Sequence, residues 1–389
     1  MSFEIHIGID SGSKTTKIVY NEGGIIRSKK TASVICKAPK GIDNLKTLER
    51  TTKNIEENMV VSVNGEDFLF GNIALEQGKE EDIIEPIRGN LLTDIYKSNG
   101  KIRESKESDM ASVVIAGILG LIDTTKTFDD LPDTIVKICT GVPIETSNEL
   151  IEELQSLYHG IHRFKIKNLA TGETQTRKVW VKECYMIKEP IGTLYDTIYD
   201  HEGLPKMKGD KLDQSVANLL TQVVGVYDMG YGTYCSYLRG PNGAILKGCG
   251  TNESAHKSFI FELSKDLALL LKSEGFSNLD LPNQYDLDNA TKSKVLKVRL
   301  EKIKNFESVM QNTTRRFVKN NIARDLENYF LENNIETLIL TGGPAKDFEP
   351  YIKEYLSMRK ESQVKLKVPE DPEMANANGF YKYLIKKKR

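Results

Sequence analysis

The opening of the chain most restricts what this sequence can fold into. Residues 3–9 form a β-favouring run that ends in Asp10, a small polar turn follows at Ser11-Gly12-Ser13, and a second β-favouring run begins at Lys17. This order predicts a β-hairpin whose turn brings backbone N–H groups, hydroxyls and lysines to one point, an arrangement suited to a phosphate chain. An ordinary surface hairpin with Gly12 in its turn has the same signature.

The same local order occurs again about two hundred residues later. A β-favouring run over 223–227 ends in Asp228, a turn follows over 229–233, and a further strand is predicted over 234–239. A strand, an Asp-x-Gly turn and a second strand that recur in this way predict an internal duplication, each copy being one half of a nucleotide-binding fold.

Two such hairpins facing each other would hold one phosphate chain from both sides. Asp10 and Asp228 would then lie within reach of one hydrated Mg²⁺, which offsets the negative charge of the phosphates. A third contact is predicted where a strand over 337–340 runs into Thr341-Gly342-Gly343, because adjacent glycines let the backbone approach a ligand closely.

The composition excludes several classes of protein. A length of 389 residues predicts at least two domains. The formal net charge of −1 predicts no general attraction to nucleic acid or anionic membranes. The longest apolar run, 113–122, is too short to span a bilayer. The five cysteines lack metal-type spacing, and His159 and His162 have no third ligand nearby. We therefore expect structural thiols, no metal centre at these histidines, and a cytoplasmic location.

Predicted strands and helices alternate along the chain, as in an α/β protein, and the Gly-, Pro- and Lys-rich stretch 203–212 is the best candidate for a boundary between domains. Beyond the second hairpin the pattern predicts a third strand over 244–247, a helix over 252–273 and a long charged helix over about 292–333.

These motifs resemble those of a known superfamily. Asp10-Ser11-Gly12-Ser13 with Lys17, the stretch from Asp228 to Thr233, and Thr341-Gly342-Gly343 resemble the two phosphate motifs and the adenosine motif of the actin, Hsp70 and sugar-kinase superfamily. They occur in the same order. The resemblance implies an α/β actin-like fold, with two duplicated ribonuclease-H-like domains around a nucleotide cleft and a smaller outer subdomain on each. Domain I would cover residues 1–200 and 372–389, with an outer subdomain at about 31–70. Domain II would cover 201–371, with an outer subdomain at about 251–305.

Further segments indicate a branch of that superfamily. Thr140-Gly141-Val142-Pro143 and Ala375-Asn376-Ala377-Asn378-Gly379 resemble its two connecting segments, and Glu189-Pro190-Ile191-Gly192 is similar to the bacterial plasmid-segregation actins of the ParM group. A sugar kinase needs an aspartate as base for a sugar hydroxyl, and Asp196 and Asp200 keep that alternative open.

The resemblance also implies roles for single residues. Glu189 would orient the water that attacks the γ-phosphate, Asp228 would be the second catalytic residue, and Asp10 and Asp228 would hold Mg²⁺ through water. An acidic residue is favoured in any first helical turn, so Glu189 also has a purely structural interpretation. The expected nucleotide contacts are Ser11, Gly12, Ser13, Lys17, Gly230, Tyr231, Gly232, Thr233, Lys302, Gly342, Gly343 and Pro344.

The implied function is an ATP-dependent, filament-forming actin homologue that segregates plasmid DNA, with hydrolysis driving filament turnover. Its cofactors would be ATP, with GTP as an alternative, and Mg²⁺. Its partners would be further copies of itself in a helical filament and a DNA-bound adaptor protein at a plasmid centromere, without direct nucleic-acid binding and without a membrane. Two alternatives stay open: a small-molecule kinase of the same superfamily, and a prophage or cytoskeletal scaffold without a plasmid role.

Overall fold

The structure is a computed structural model that describes residues 4–42, 52–86, 105–122, 134–253, 255–275, 284–298, 302–359 and 363–389. The chain divides into two compact units. Unit 1 comprises Met1–Asn218 and Glu373–Arg389, and unit 2 comprises Leu219–Pro372. Residues 201–218 therefore group with unit 1, whereas the sequence placed the first change of domain at residue 200.

Unit 1 is built on a ten-stranded mixed sheet with the order β3-β2-β1-β8-β10-β9-β5-β6-β4-β7. Its strands, with a separate two-stranded hairpin β11–β12, are β1 (Glu4–Ser11), β2 (Thr15–Glu22), β3 (Ile25–Ala32), β4 (Ile35–Lys37), β5 (Met59–Val63), β6 (Glu66–Phe70), β7 (Ile83–Ile84), β8 (Thr134–Val142), β9 (Gly160–Asn168), β10 (Thr174–Lys188), β11 (Met207–Lys208) and β12 (Lys211–Leu212). The helices up to residue 221 are α1 (Ile55–Asn58), α2 (Asn72–Gln77), α3 (Ser105–Gly120), α4 (Asn148–Tyr158), α5 (Glu189–Ile198) and α6 (Gln214–Thr221).

Unit 2 has a six-stranded sheet with the order β15-β14-β13-β19-β20, in which β16 also pairs with β14. Its elements are β13 (Val224–Met229), β14 (Tyr234–Gly240), β15 (Gly243–Ala244), β16 (Gly250–Asn252), α7 (His256–Ser273), α8 (Gln284–Ser293), the hairpin β17 (Val295–Val298) and β18 (Lys302–Asn305), α9 (Glu307–Phe317), β19 (Thr337–Thr341), α10 (Ala345–Met358) and β20 (Lys365–Lys367). The last helix, α11 (Ala375–Lys388), belongs to unit 1.

The two units repeat one topology. In unit 1, β1 pairs antiparallel with β2 and parallel with β8, and β8 pairs parallel with β10. In unit 2, β13 pairs antiparallel with β14 and parallel with β19, and β19 pairs parallel with β20. The strand orders β3-β2-β1-β8-β10 and β15-β14-β13-β19-β20 therefore correspond position by position. The predicted duplication is confirmed in the topology.

Each unit has its own apolar core. In unit 1, α3 and α4 pack against the sheet, and the buried residues Val113, Ile115 and Leu119 of α3 contribute to that core. In unit 2, α7, α10 and the helical stretch over 307–330 supply most of the cluster around β13 and β19. These strands are buried along their whole length, as expected for parallel strands with helices on both faces.

Three glycines allow α11 to lie unusually close to its neighbours in unit 1. A Cβ added at Gly8 of β1 would lie 2.2 Å from the Ala377 carbonyl oxygen, and one added at Gly379 would lie 1.6 Å from that of Gly192 in α5. The contact is reinforced by Thr193, whose hydroxyl donates to Asn376 Oδ1 at 2.8 Å. Helix α11 thus joins the first strand of the sheet to α5.

Two sequence-based expectations for unit 2 were wrong. The charged segment over 292–333 is not one helix, since α8 ends at Ser293, the hairpin β17–β18 follows, and helical structure resumes at Glu307. The expected strand over 244–247 is also wrong: β15 ends at Ala244, and Leu246–Gly248 form a 3-10 turn before β16. Across the described part of the chain, no helix combines the length and apolarity needed to cross a membrane.

Candidate functional site

In unit 1, the carboxyl ends of three parallel strands bring the predicted residues together. Ile9 of β1 is paired with Thr140 of β8, and Gly141 of β8 is paired with Ile187 of β10. Asp10 therefore follows at the end of β1, and Glu189 begins α5 two residues after Ile187. The carboxyl ends of parallel strands are the usual ligand-binding edge of an open α/β sheet.

Asp10 forms a buried ion pair with Lys17 at this edge. The two residues face each other across β1 and β2, and Lys17 Nζ lies 2.9 Å from Asp10 Oδ2. Both are about 8% exposed. A buried pair of this kind stabilises the hairpin only while both charges are present, because removal of one leaves the other uncompensated.

The turn between β1 and β2 is closed by short-range hydrogen bonds. The Gly12 N–H donates to the Thr15 carbonyl at 3.0 Å, and the hydroxyls of Ser11 and Thr16 are 3.3 Å apart. The Thr16 hydroxyl lies 2.9 Å from that of Ser33, which ties the turn to the end of β3.

The turn between β13 and β14 in unit 2 has the same construction. The Gly230 N–H donates to the Thr233 carbonyl at 3.0 Å, as the Gly12 N–H does to Thr15 in unit 1. Asp228 occupies the position of Asp10 at the end of the first strand and is 7% exposed. Its cross-strand partner is Cys235, where unit 1 has Lys17. The duplicated hairpins therefore differ in charge: a lysine faces the aspartate in unit 1 and a thiol faces it in unit 2.

Glu189 lies at the start of α5 against the end of β8. A Cβ added at Gly141 would lie 2.7 Å from Glu189 Cγ, so only glycine leaves room for this carboxylate side chain. The preceding residue, Lys188, donates through Nζ to the Thr146 carbonyl at 2.6 Å, and burial lowers the pKa of its ammonium group. Lys188 thus fixes the loop after β8 beside Glu189.

The glycine pair after β19 approaches the end of β13. Gly342 has φ +89°, and an added Cβ would lie 2.3 Å from the Met229 carbonyl oxygen. Its N–H donates to the Pro372 carbonyl at 2.9 Å, and the Thr341 hydroxyl donates to the same carbonyl. Gly343 is exposed with open space around it, and Pro344 precedes α10 as its N-cap. These residues adjoin the Asp228 strand, because Asp228 is paired with Thr341.

The structure adds a residue that the sequence analysis missed. The first backbone N–H groups of α7, at His256 and Lys257, donate to the carbonyls of Gly230 and Tyr231. The His256 side chain is 7% exposed, and its Nε2 lies 2.7 Å from Asp288 Oδ1 in α8. The Gly230–Thr233 turn is therefore anchored through α7 to α8. Because α7 was predicted to begin at residue 252, His256 was not placed at a helix start.

The predicted residues thus fall into one group in each unit. Unit 1 brings together the turn over 11–13, Asp10, Lys17 and Glu189, and unit 2 brings together Asp228, the turn over 230–233 and Gly342 to Pro344. Lys302 was expected on a helix, but its backbone begins the strand β18.

The acidic residues fit a hydrated Mg²⁺ better than a protein-bound one. Among the described residues, no group of three or more His, Cys, Asp or Glu side chains is arranged to hold a metal. Each turn instead presents one buried strand-end carboxylate. Mg²⁺ commonly keeps several waters and takes only one or two carboxylates together with substrate phosphates, so this donor set suits an ion that arrives with a nucleotide.

A cavity of about 400 Å³ lies elsewhere in unit 1. It contains none of the predicted site residues and is lined by Lys29, Lys53, Asn54, Ile55, Glu56, Ile166, Asn168, Glu173, Gln175 and Arg177. His162, one of the two histidines considered as metal ligands, is used locally: its Nε2 lies 2.8 Å from the Tyr158 carbonyl.

Comparison with known families finds a similarity in the N-terminal part of the chain. Residues 8–192 match the family model described as the N-terminal domain of actin-like proteins. A search of curated protein sequences found no match.

Solved structures resemble the whole chain in fold. Alp7A, described as an actin-like protein, aligns with a TM-score of 0.69 at 13% identity and covers 99% of this chain and 97% of its own. A subunit of a 15-stranded ParM filament from Clostridium botulinum aligns with a TM-score of 0.64 at 17% identity over 100% of both chains. Bacillus thuringiensis ParM with ATP gives 0.61 at 16% identity, covering 99% of this chain and 100% of its own. At these identities the likeness establishes the fold alone, and it confirms the actin-like fold that the motifs indicated.

Proposed function

We propose that this chain, which has the actin-like fold, is an ATP-dependent filament-forming protein that segregates plasmid DNA, with hydrolysis driving filament turnover. The observation that carries the proposal is the repeated hairpin: each unit ends its first strand in a buried aspartate followed by a glycine turn of the same hydrogen-bonded form. Such turns direct backbone N–H groups towards anions. Similarity to a ParM with ATP and to a subunit of a ParM filament supports the nucleotide and the assembly.

In this proposal the residues of the two turns bind the phosphates of ATP. The turn over 11–13 and the turn over 230–233 donate backbone N–H groups, and Lys17 offsets phosphate charge. Asp10 and Asp228 would hold Mg²⁺ through water, and the bound ion would neutralise charge that develops on the phosphates. Because Lys17 contacts Asp10 in the structure, we expect nucleotide binding to loosen this ion pair as Lys17 turns to phosphate. Gly342, Gly343 and Pro344 would line the nucleoside, and the choice between ATP and GTP would be made there.

Glu189 is the proposed catalytic residue. Its place beside Gly141, at the carboxyl end of β8, puts a carboxylate at the same strand edge as Asp10. A carboxylate there orients the attacking water and accepts its proton as the bond to the γ-phosphate breaks. Loss of the γ-phosphate would then weaken contacts between subunits, so that filaments in the diphosphate state fall apart.

The first test compares Glu189→Gln with the wild-type protein. The neutral side chain keeps the shape but accepts no proton, so phosphate release should fall by about 10²- to 10⁴-fold. ATP binding and light scattering on assembly should persist, and filaments should live longer. The matched control is Glu152→Gln on the exposed face of α4, which should hydrolyse ATP at the wild-type rate. Unchanged phosphate release from Glu189→Gln would remove the catalytic assignment.

The second test is assembly itself. Purified protein with ATP and Mg²⁺ should scatter light above a critical concentration and form filaments visible by electron microscopy. A protein that binds ATP but never assembles at any concentration or salt would contradict the proposal. The plasmid role predicts in addition a DNA-bound adaptor protein that captures filament ends, and it places the protein in the cytoplasm.

Small-molecule kinase activity is the second candidate, and two contacts argue against it. The carboxylate of Asp196 forms an ion pair with the buried Lys382, whose Nζ donates to Asp196 Oδ1 at 2.7 Å. Asp200 accepts the N–H groups of Glu202 and Leu204 and so closes a loop. Both carboxylates therefore have structural roles. Phosphate release that depends on an added sugar, rather than on protein concentration, would favour the kinase.

A further inference from the structure

One face of unit 1 combines positive charge with exposed apolar side chains. It is formed by residues 202–212, which include the β11–β12 hairpin, and by residues 386–389 at the end of α11; we call it the basic surface. Leu204, Met207 and Leu212 are 41%, 55% and 39% exposed. The two parts are continuous, because a Cβ added at Gly203 would lie 2.8 Å from the Lys386 backbone nitrogen.

Tyrosines hold the lysines of this surface in place. Lys386 Nζ lies 4.2 Å from the ring centroid of Tyr199 and donates to its hydroxyl at 2.5 Å, and Lys387 Nζ lies 3.8 Å above the ring of Tyr185. Cation–π contacts of this length orient an ammonium group without neutralising it. The basic surface carries seven Lys and Arg residues against Glu202 and Asp210. In a chain of net charge −1 this is a local concentration of positive charge.

A second segment of the same unit has the opposite character. Residues 76–85, which we call the acidic segment, contain five Asp and Glu residues and one lysine. Glu80, Glu81 and Asp82 form an exposed 3-10 turn, and Ile84 beside them is 37% exposed. The segment contains β7, which pairs only with β4 among the described strands and ends the ten-stranded sheet.

The two patches belong to different parts of unit 1. The basic surface includes the end of α11, which packs on β1 and α5. The acidic segment includes β7, which lies six places from β8 in the strand order. Unit 1 therefore has two separate surfaces of opposite sign among its described residues, with Leu204, Met207 and Leu212 exposed on the basic one and Ile84 on the acidic one. A surface of this kind repels surfaces of its own charge and attracts a surface of the opposite charge.

We propose that the basic surface of one copy binds the acidic segment of a second copy. The contact joins two different surfaces, so it is heterologous, and its repetition builds an open chain of subunits rather than a closed pair. This inference rests on the proposed filament function and names the surfaces that would carry it. Nucleic acid is the less suitable occupant, because phosphate binding needs no exposed Leu204, Met207 and Leu212.

The experiment reverses charge on each side separately. The basic-reversed variant is Lys208→Glu/Lys211→Glu/Lys388→Glu, and the acidic-reversed variant is Glu80→Lys/Glu81→Lys/Asp82→Lys. These residues lie outside the proposed nucleotide site and are exposed, so both variants should fold and bind ATP. Each should raise the critical concentration for assembly by tenfold or more, and the six changes combined in one chain should restore it.

Mixing the two variants tests the pairing directly. Each variant alone carries two surfaces of one sign and should stay monomeric below its raised critical concentration. A one-to-one mixture pairs intact with intact and reversed with reversed surfaces, so it should co-assemble near the wild-type critical concentration, as light scattering would show. That co-assembly should weaken as salt rises from 50 to 300 mM, since exposed charges are screened. The control Lys247→Glu/Lys272→Glu/Lys319→Glu changes the net charge equally on unit 2 and should leave the critical concentration near the wild-type value.

The outcomes separate this inference from the proposed function. If the wild-type protein assembles and the reversed variants assemble equally well, the inference fails and the filament function stands. If the wild-type protein binds ATP but does not assemble, the filament function fails, and the absence of any association in the mixture then removes the inference as well. Binding of a 30-base-pair DNA duplex that is lost in the basic-reversed variant would assign the surface to nucleic acid and overturn the proposal.

Discussion

Single residues at the strand ends are constrained by backbone as much as by chemistry. The glycines of the two Asp-x-Gly turns lie where an added Cβ would meet the carbonyl oxygen three residues on, at 3.3 Å for Gly12 and 2.7 Å for Gly230. At Gly230 a side chain would push against the backbone that closes the turn, whereas at Gly12 the carbonyl would have to give by only a few tenths of an ångström. Closure of the turn therefore restricts the residue type more strictly in unit 2 than in unit 1.

The pair Gly342 and Gly343 gives a matched test at this scale. Gly342→Ala places a Cβ 2.3 Å from a carbonyl oxygen at φ +89°, so we expect it to destabilise unit 2 by about 1–3 kcal/mol and to weaken nucleotide binding. Gly343→Ala meets open space and should be close to neutral for stability. Thermal unfolding of both variants, with and without ATP, would measure the difference. Equal unfolding midpoints would contradict the close approach of Gly342 to Met229.

The contacts of a residue could be predicted from the sequence only where its partners are close to it along the chain. Asp10, Gly12 and Gly230 were predictable because a hairpin is determined by residues that are neighbours in the chain. Lys17 was predicted to contact phosphate, but its ion pair with Asp10 was not predicted, because that pair depends on the register of β1 and β2. The bond between His256 and Asp288 joins two helices and leaves no local signal.

At the scale of elements, the secondary-structure prediction was wrong where the sequence fits both a helical and a strand periodicity. The stretch from Lys292 to Lys304 alternates basic and aliphatic residues, which fits both an amphipathic helix and a two-stranded hairpin. The structure forms the hairpin β17–β18, which begins after Lys294 at φ +57°. Strand order could not be predicted either, since β8 is inserted between β1 and β10 from distant parts of the chain.

The contact between α5 and α11 gives a prediction for packing. Gly379→Ala would force the two helices apart, because the new methyl group meets the Gly192 carbonyl oxygen. We expect a loss of about 1–3 kcal/mol or more, the usual result of overpacking. Asn378→Ala, one residue away and half-buried, should cost less. Chemical denaturation would rank the two, and a smaller loss for Gly379→Ala would contradict the close crossing.

At the scale of the whole molecule, one buried histidine and one half-buried histidine make stability depend on pH. Burial lowers the pKa of His6 and of His162, in the latter case against an opposing hydrogen bond to Tyr158. The unfolded chain therefore binds more protons than the folded one between the lowered pKa values and the ordinary value of about 6.5. The contribution of the two histidines to the free energy of unfolding is complete above that value and is lost as the pH falls through this window.

The measurement is the unfolding midpoint between pH 7.5 and pH 5. The midpoint should fall on acidification, and the fall should be smaller in His162→Gln, which cannot take up the proton. His159→Gln is the control, because His159 is exposed beside it and should leave the slope unchanged. A slope that is the same in all three proteins would rule out a contribution from His162.

The position of α11 has a consequence for how the chain is made. Its partners β1, β8 and α5 are synthesised before unit 2, but α11 follows only after about 180 further residues, which takes roughly 10–40 s at typical rates of synthesis. During that time the groove around Gly8 and Gly192 lacks the helix that covers it. Synthesis of unit 2 is thus complete before that of unit 1, although unit 1 begins first. We expect the nascent unit 1 to depend on chaperones until residues 373–389 have been synthesised.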